Sequence, residues 1–285
     1  MTSPILGALT VVGSINVDLT ATVARLPGAG ETVLGGTLHR LPGGKGANQA
    51  AAAARLGGRV RMIGAVGDDG DGQWMLQCLR DAGVDTSGVW LGEQATGTAL
   101  ITVDEAGENQ IVVCAGANDA ASIDGVSFSP EEAVLAQLEI PFDVVSALAD
   151  AVPGFLAINA APARTLTEAL VRRADLVIVN ETEFELQPEL SDARLVAITY
   201  GADGAALRSN GREVARVASP RVRVVSSVGA GDAFCAAITL ALHAGWAPED
   251  ALAAACAVGA DAVTAAAAQP PLRRLETYRP VGGLS

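Results

Sequence analysis

Short apolar runs rich in Val and Ile alternate along the chain with longer stretches whose apolar positions recur every three or four residues. The short runs predict strands at 9–15 (LTVVGSI), 59–67 (RVRMIGAVG), 133–140 (AVLAQLEI), 154–160 (GFLAINA), 175–181 (DLVIVNE) and 194–201 (RLVAITYG). The longer ones predict helices at 46–57, 70–82, 142–151, 165–174, 232–245 and 248–267. Strands that alternate with helices make an α/β fold with a mainly parallel sheet. Two stretches break the rhythm. Residues 17–41 hold extended Thr/Val/Leu segments with turn residues, and 97–116 (GTALITVDEAGENQIVVCAG) read as a hairpin turning through Asp104–Asn109. With no helix between strands, these two predict a small antiparallel sheet standing off the main one, as a lid or a dimerisation surface. No repeat or low-complexity linker divides residues 1–285, so a single domain is expected.

Composition narrows the function. Half of the 285 residues are apolar, enough for a sizeable core. The formal net charge of −13 disfavours nucleic acid and anionic membrane as partners, because both need a basic face. Small anionic substrates stay open, since backbone N–H groups and a metal ion supply local positive potential. The four cysteines are far apart and lack C-x-x-C pairing, which suggests buried thiols in a reducing compartment. The start, MTSPILGALTVVGSI, has no basic region before its apolar stretch, and ALAAACAVGADAVTAAAA is too weak for a membrane span. A cytoplasmic protein is expected. Of the 19 basic residues one alone is lysine, Lys45, and it sits inside LPGGKGANQA. That placement suggests a site suited to a compact ammonium rather than a planar guanidinium.

Several short strings could carry chemistry. Asn16 and Asp18 of NVD follow the first strand, where an α/β sheet binds ligands, and suit either a polyol or an Asx turn. PGGKGANQA opens a helix with glycines that let backbone approach a ligand, and Asn48 is available for hydrogen bonds. It has neither the G-x-x-x-x-G-K-[ST] nor the G-x-G-x-x-G spacing. Asn180 and Glu183 of NETE suit either a hydrated divalent cation or a helix start. ITYGADGAAL lines a nucleotide or forms a plain hairpin. GAGD, residues 229–232, precedes a long apolar helix. Asp232 is either its N-cap or a base beside the bare N–H groups of a helix start. The second reading fits phosphoryl transfer, which needs an activated nucleophile and donors for developing charge.

GSINVDL, GETV, GGKGANQA, GDD, GENQIVVCAGAN, AQLEIP, NAAPA, NETE, ITYGADG and GAGDAF follow one another between about Val11 and Gln269. In that order they resemble the ribokinase (PfkB-type) family of sugar kinases. The resemblance implies a three-layer β-α-β core with a small β-sheet lid, and ATP-dependent phosphorylation of a sugar hydroxymethyl group. It implies that Asn16, Asp18, Gly44, Lys45, Asn48 and Glu139 bind the sugar, with ribose favoured over fructose phosphates or nucleosides. Asp232 would be the general base, with Gly229, Ala230 and Gly231 as the anion hole. Asn180, Thr199, Gly201, Gly204 and Cys256 would bind the nucleotide, and Glu183 would meet Mg²⁺ through water. The lid would also pair two subunits.

The chain departs from the family in places. Ser226-Ser227 stands where the family carries Asp-Thr, and AAAAQPP (265–271) replaces R-K-G-A-Q-P-S. The monovalent-cation site expected at Ser226 and Val228 therefore loses a charged ligand, and strong K⁺ activation is not expected. Cys256 replaces the His or Asn often found beside adenine. Between NETE and ITYG a helix is shortened or missing. A kinase of another pentose or a nucleoside, or a non-catalytic sugar- or nucleotide-binding protein, are the rival readings.

Overall fold

A computed structural model describes residues 6–280. The chain begins with β1 (Ala8–Val12), β2 (Asn16–Thr22), β3 (Thr37–Gly43), α1 (Lys45–Arg55), β4 (Arg59–Gly67), α2 (Gly70–Asp81) and β5 (Asp85–Gly92). The hairpin β6 (Gly97–Val103) and β7 (Asn109–Cys114) follows, then β8 (Glu132–Gln137), α3 (Phe142–Ala151), β9 (Phe155–Asn159), α4 (Glu168–Arg173) and β10 (Leu176–Asn180). The last part contains α5 (Glu181–Glu185), β11 (Val196–Thr199), β12 (Ala205–Ser209), β13 (Arg212–Val217), α6 (Ala230–His243) and α7 (Pro248–Ala262).

Nine strands form one sheet in the order β13-β12-β11-β10-β9-β8-β1-β4-β5, parallel except for β12 and β13. Its strands are apolar on both sides because helices cover both. Leu9 and Val11 of β1 and Ala157 of β9 face α1, α2, α6 and α7; Val12, Leu156 and Ile158 face α3 and α4. This period-2 division gives the three layers the sequence predicts.

The second sheet has the order β3-β2-β6-β7. Its outer pairs are antiparallel, but β2 and β6 run parallel, so the expected all-antiparallel sheet is corrected at its centre. Parallel pairing is possible because α1, β4, α2 and β5 of the core intervene between the two strands and bring the chain back. Within 17–41 the strands end at Thr22 and resume at Thr37; the connection between them has no regular structure.

Other boundaries also shift. Strand 59–67 and helix 142–151 form as expected, whereas the strand predicted at 133–140 ends at Gln137, leaving Glu139 in the following turn. The helix predicted at 248–267 stops at Ala262. β5 and β13 have no counterpart among the predicted strands. Both are sheet edges and half exposed, so their side chains lack the apolar run of the central strands.

Candidate active site

From β1 the sheet is built outward through β4 and β5, and from β8 the opposite way through β9, β10 and β11. The crevice beyond the strand ends lies where this direction reverses, the usual ligand position in such sheets. Ser14 and Asn16 follow β1, Gln137 and Glu139 end and follow β8, and Asn159, Asn180 and Thr199 end β9, β10 and β11. Helices α1 and α6 complete the crevice. The two helices pack on each other, and the fully buried residues of both include many alanines (Ala47, Ala50 and Ala51 on α1, Ala233, Ala236 and Ala237 on α6), small side chains that allow a close approach. That approach sets Asn48 and Gln49 against Asp232.

Helix α6 starts two residues earlier than its apolar pattern suggests. Gly229, not Asp232, is the N-cap; its left-handed backbone (φ 79°) suits glycine, and a Cβ there would lie 2.0 Å from the Ala268 carbonyl oxygen. The N-cap reading of Asp232 is thereby corrected: it stands inside the first turn. The N–H groups of Gly231 and Asp232 precede the first intrahelical bond, from Ala233 to Gly229, and are free for an anion. Asp232 Oδ1 accepts from Gln49 Nε2 at 3.0 Å and Oδ2 from Asn48 Nδ2 at 3.1 Å. Burial raises the pKa of Asp232, and the Glu139 charge adds to this. Lys45 and the amides of Gln49 and Asn48 oppose it.

On the lid side of Asp232, Asp18 has its pKa raised to about 6 by burial and by the charges of Glu139 and Asp232. Its carboxylate rests over Gly43, where a Cβ would come within 2.0 Å of Oδ1. Gly44 caps α1 with φ 85°, against the backbone of Ser14 and Asn16. Glu139 Oε2 accepts from Ser14 Oγ at 2.6 Å and the Lys45 N–H at 3.1 Å. Asn118 holds the hinge between core and lid: its Oδ1 accepts the Ile15 N–H at 2.8 Å, and its Nδ2 donates to Asn16 Oδ1 at 2.7 Å.

A cavity of about 250 Å³ opens beside Asp232, lined among others by Lys45, Asn180, Glu183, Thr199 and Gly231. Burial works against the Lys45 charge, but Asp232, Glu139 and Glu183 together outweigh it and raise its pKa. Among the described residues the Lys45 ammonium has no carboxylate within ion-pair distance, so it is left facing the cavity. Asn180 and Glu183 form a capping box at α5: Asn180 Oδ1 accepts the Glu183 N–H at 2.7 Å, and Glu183 Oε2 the Asn180 N–H at 2.8 Å. The helix-start reading of NETE is met by this box, and Asn180 and Glu183 also line the cavity. Among the described residues no three His, Cys, Asp or Glu side chains cluster to cage a metal ion. One carboxylate at a polar cavity suits Mg²⁺, which keeps its waters and takes phosphate oxygens.

A second cavity, about 770 Å³, adjoins the first through Thr199, Ser227, Gly231 and Phe234. Gly201, Gly204, Val222, Val224, Cys256 and Gly259 line it, so it is wide, mostly apolar and bounded largely by small groups. Gly204 has no room for a side chain: a Cβ would sit 2.0 Å from the Val217 carbonyl. Burial pushes the Cys256 thiol up to about 11. Ser226 and Val228 form a local turn in which Ser226 Oγ accepts the Val228 N–H at 3.2 Å. Between α5 and β11 there is one short 3₁₀ turn, Pro188–Asp192, where the shortened connection is expected.

The structure thus gathers Asn16, Asp18, Gly44, Lys45, Asn48, Glu139, Gly229, Ala230, Gly231 and Asp232 at one end of the crevice, and Asn180, Thr199, Gly201, Gly204 and Cys256 along the rest. Sequence reasoning did not single out Ser14, Gln49, Asn118, Gln137 or Asn159. For the last four the signal was an Asn or Gln closing each of GGKGANQ, AQ, IN and GAN, a polar amide where the apolar pattern calls for core.

Residues 7–274 match the pfkB family of carbohydrate kinases. The chain is 39% identical to a ribokinase of Bacillus subtilis (strain 168) over 254 residues, 82% of this chain and 85% of that one. It is 34% identical to a ribokinase of Lactococcus lactis, covering 82% and 83%. Among solved structures, ribokinase of Arabidopsis thaliana complexed with ribose and ATP aligns with a TM-score of 0.83 and 28% identity, over 95% of this chain and 97% of that one. A nucleoside kinase of Burkholderia thailandensis in complex with inosine aligns with a TM-score of 0.80 at 22% identity, over 96% and 99%, and shares the fold alone.

Proposed function

The chain belongs to the pfkB family of carbohydrate kinases, and from that membership we propose that it transfers the γ-phosphate of ATP to the 5-hydroxyl of D-ribose, giving ribose 5-phosphate. Asp232 carries the reading: a carboxylate held by two amide donors, beside free helix N–H groups and an unpaired ammonium, at the junction of a polar crevice and a nucleotide-sized cavity. Asn16, Asp18, Gly44, Asn48 and Glu139 bind the sugar hydroxyls. Asp232 takes the proton of the 5-hydroxyl as its oxygen bonds to the γ-phosphorus and the bond to the β-phosphate oxygen breaks. The free N–H groups of Gly231 and Asp232 in the Gly229–Asp232 turn and the Lys45 ammonium meet the charge on the transferring phosphoryl, whereas the Ala230 N–H, expected in the anion hole, donates to the Ser227 carbonyl at 3.4 Å. Lys45, expected among the sugar ligands, thus serves the phosphate side as well. Glu183 with Asn180 meets the hydrated Mg²⁺ that accompanies the nucleotide and neutralises phosphate charge when bound. Thr199, Gly201, Gly204 and Cys256 border the adenosine.

We read the whole chain as one kinase unit with 17–41 and 97–116 as its lid. The exposed Leu38, Leu100, Ile111 and Val113 of the lid sheet support pairing of two copies there. Among the described residues all four cysteines are unpaired, and no helix is long and apolar enough to cross a membrane, which supports a cytoplasmic setting.

The test is ADP formation with D-ribose, ATP and Mg²⁺, in the parent and in Asp232→Asn. The variant is expected to lose about 10²–10⁴ in kcat while the ribose KM stays near the parent value. A variant that keeps most of its turnover removes Asp232 as the base. A parent that shows a ribose-induced thermal shift without ADP formation is a binding protein instead, and turnover on a different sugar or a nucleoside reassigns the substrate.

A further inference from the structure

Behind Asp232 runs a chain of side-chain amides whose inner members, Gln49 and Gln137, line neither cavity. Gln137 Nε2 donates to Gln49 Oε1 at 2.6 Å; Gln49 Nε2 donates to Asn159 Oδ1 at 2.9 Å and to Asp232 Oδ1 at 3.0 Å. Asn159 Nδ2 donates to the Ile178 carbonyl at 3.1 Å. Gln49 and Gln137 are 0% exposed. The directions follow from the ends of the chain. A backbone carbonyl only accepts, so Asn159 turns its nitrogen to Ile178 and its oxygen to Gln49. Gln137 gives its nitrogen to the Gln49 oxygen, which leaves the Gln49 nitrogen for Asn159 and Asp232. Turning the Gln49 amide over would set its oxygen against two other oxygens and its nitrogen against that of Gln137. All three contacts would become repulsive.

A second observation separates this arrangement from plain core filling. Among the described residues the oxygen of Gln137 has no hydrogen-bond partner, and it is buried over Gly13, where a Cβ would lie 1.8 Å from it. A buried acceptor without a partner is costly, and an apolar side chain of the same size would not carry that cost. What the amide supplies that an apolar side chain cannot is the bond to Gln49.

We propose that Gln49 is a positioning residue for Asp232 and that Gln137 and Asn159, bonded to its two ends, together fix which end of the Gln49 amide the carboxylate meets. The inference rests on Asp232 being the base. Each Asp232 oxygen has one protein donor, Gln49 on Oδ1 and Asn48 on Oδ2, so each keeps a lone pair for the substrate hydroxyl. Asn48 is held in turn by Gln269 Nε2 at 3.3 Å, and Arg55 binds the Gln269 and Pro270 carbonyls at 2.5 and 3.1 Å. The charged and titratable groups around Asp232 are Lys45 from α1, Asp18 from β2, Glu139 after β8 and Cys235 on α6, with Glu183 of α5 beyond Lys45. Of these Lys45 alone is cationic, so donation from Gln49 favours the ionised carboxylate against burial and its acidic neighbours.

Gln137→Met keeps the length but cannot donate, so it removes one of the two contacts that orient Gln49 and leaves the Gln49 oxygen buried without a donor. Gln137→Glu donates while its buried carboxyl is protonated and stops when it ionises. Asp232 ionisation is read in ligand-free protein by pH-difference infrared spectroscopy, with Asp232→Asn as the blank. The pH profile of ribose-dependent ADP formation runs alongside, and circular dichroism checks the fold. In Gln137→Met the carboxyl is expected to titrate about one pH unit higher, with kcat on the acid limb of its pH profile about tenfold lower and ribose KM within about twofold. Gln137→Glu should follow the parent at low pH and fall away from it as pH rises. If Gln137→Met does not fold, Gln137→Glu decides. An Asp232 titration unmoved in the folded variants overturns the inference, whether or not ribose is the substrate. A moved titration in a parent that forms no ADP with ribose leaves the positioning role standing and fails the ribose reading.

Discussion

Around Asp232 the crevice is specified by side chains, whereas beyond Thr199 it is specified by backbone. Asn48, Gln49, Asn159 and Gln137 form a buried network in which each nitrogen has an assigned acceptor. The 770 Å³ cavity instead has glycines, valines and Cys256 on its walls, and its shape follows from where a Cβ is missing. The difference tracks the chemistry. Moving a proton and a phosphoryl group needs donors fixed to a fraction of an ångström, while a flat apolar base needs a slot of the right width. Substitutions should therefore cost most where the two constructions meet, and least at the far end of the cavity.

Gly229→Ala strikes that meeting point and should have the largest effect. It forces a side chain into a left-handed position and against the Ala268 carbonyl, next to Gln269, which holds Asn48. The start of α6 or the 263–270 segment must move, and Asp232 with it. We expect kcat to fall by about 10²-fold or more, with a melting point several degrees lower. Steady-state kinetics together with thermal melts check this, and near-parent kcat would mean that the turn has more room than its geometry allows.

Asp18→Asn tests the sugar end and should come next, at about 10–100-fold in kcat/KM for ribose. Its carboxyl, raised from 3.8 to about 6, is a full acceptor for hydroxyls when ionised. Parent kcat/KM should therefore fall as pH drops through about 6, and the variant should lose that part of the profile. Stability moves the other way. A raised carboxyl favours the folded state fully below its unfolded pKa, and this contribution is lost as pH rises through about 6. Relative to the parent, Asp18→Asn should thus melt higher above pH 6, with the gap closing towards pH 4. A pH-independent gap in both measurements would show that Asp18 is not the titrating group.

The same contrast explains what the sequence disclosed. Lys45, Asp232 and the NETE and NVD carboxylates are local signals: a charged residue beside glycines or at a strand end is visible within a few positions. The amide network is not local. Gln49 meets residues 88, 110 and 183 positions away, and only the close packing of α1 and α6 brings it there. The start of α6 was misplaced because apolar periodicity begins at Asp232, while Gly229 sets the turn before any apolar residue faces the core. β5 and β13 escaped notice because edge strands with one exposed side lack an apolar run. Central strands such as 59–67 are buried on both faces, so their composition announces them.

On the nucleotide side the effects should be small. Val224→Ser polarises one wall without closing the slot, and is expected to raise the ATP KM by about threefold to tenfold with kcat little changed. A loss of kcat larger than the change in KM would show that this wall reaches the phosphoryl site.

The smallest effect should come from exchanging K⁺ for Na⁺. Residues 219–229 and 263–271 contain no Asp or Glu, so a monovalent cation expected there would meet neutral oxygens alone, beside Arg221 and Arg223. Two of those oxygens are already used: Val263 O accepts the N–H groups of Val225 and Ser226, at 2.7 and 3.2 Å, and Ser226 Oγ accepts that of Val228. A monovalent ion there lacks the full opposing charge that would hold it in competition with water. Turnover in K⁺ and in Na⁺ is expected to agree within about twofold, a difference well under 1 kcal/mol in barrier height. Ser226→Asp supplies the missing charge at the same turn, and should raise the ratio of K⁺ to Na⁺ turnover if the rest of the loop still has the shape of a cation site. Strong K⁺ activation of the parent would instead mean that backbone carbonyls suffice. The backbone-built half of the crevice would then be more exacting than its plain walls imply.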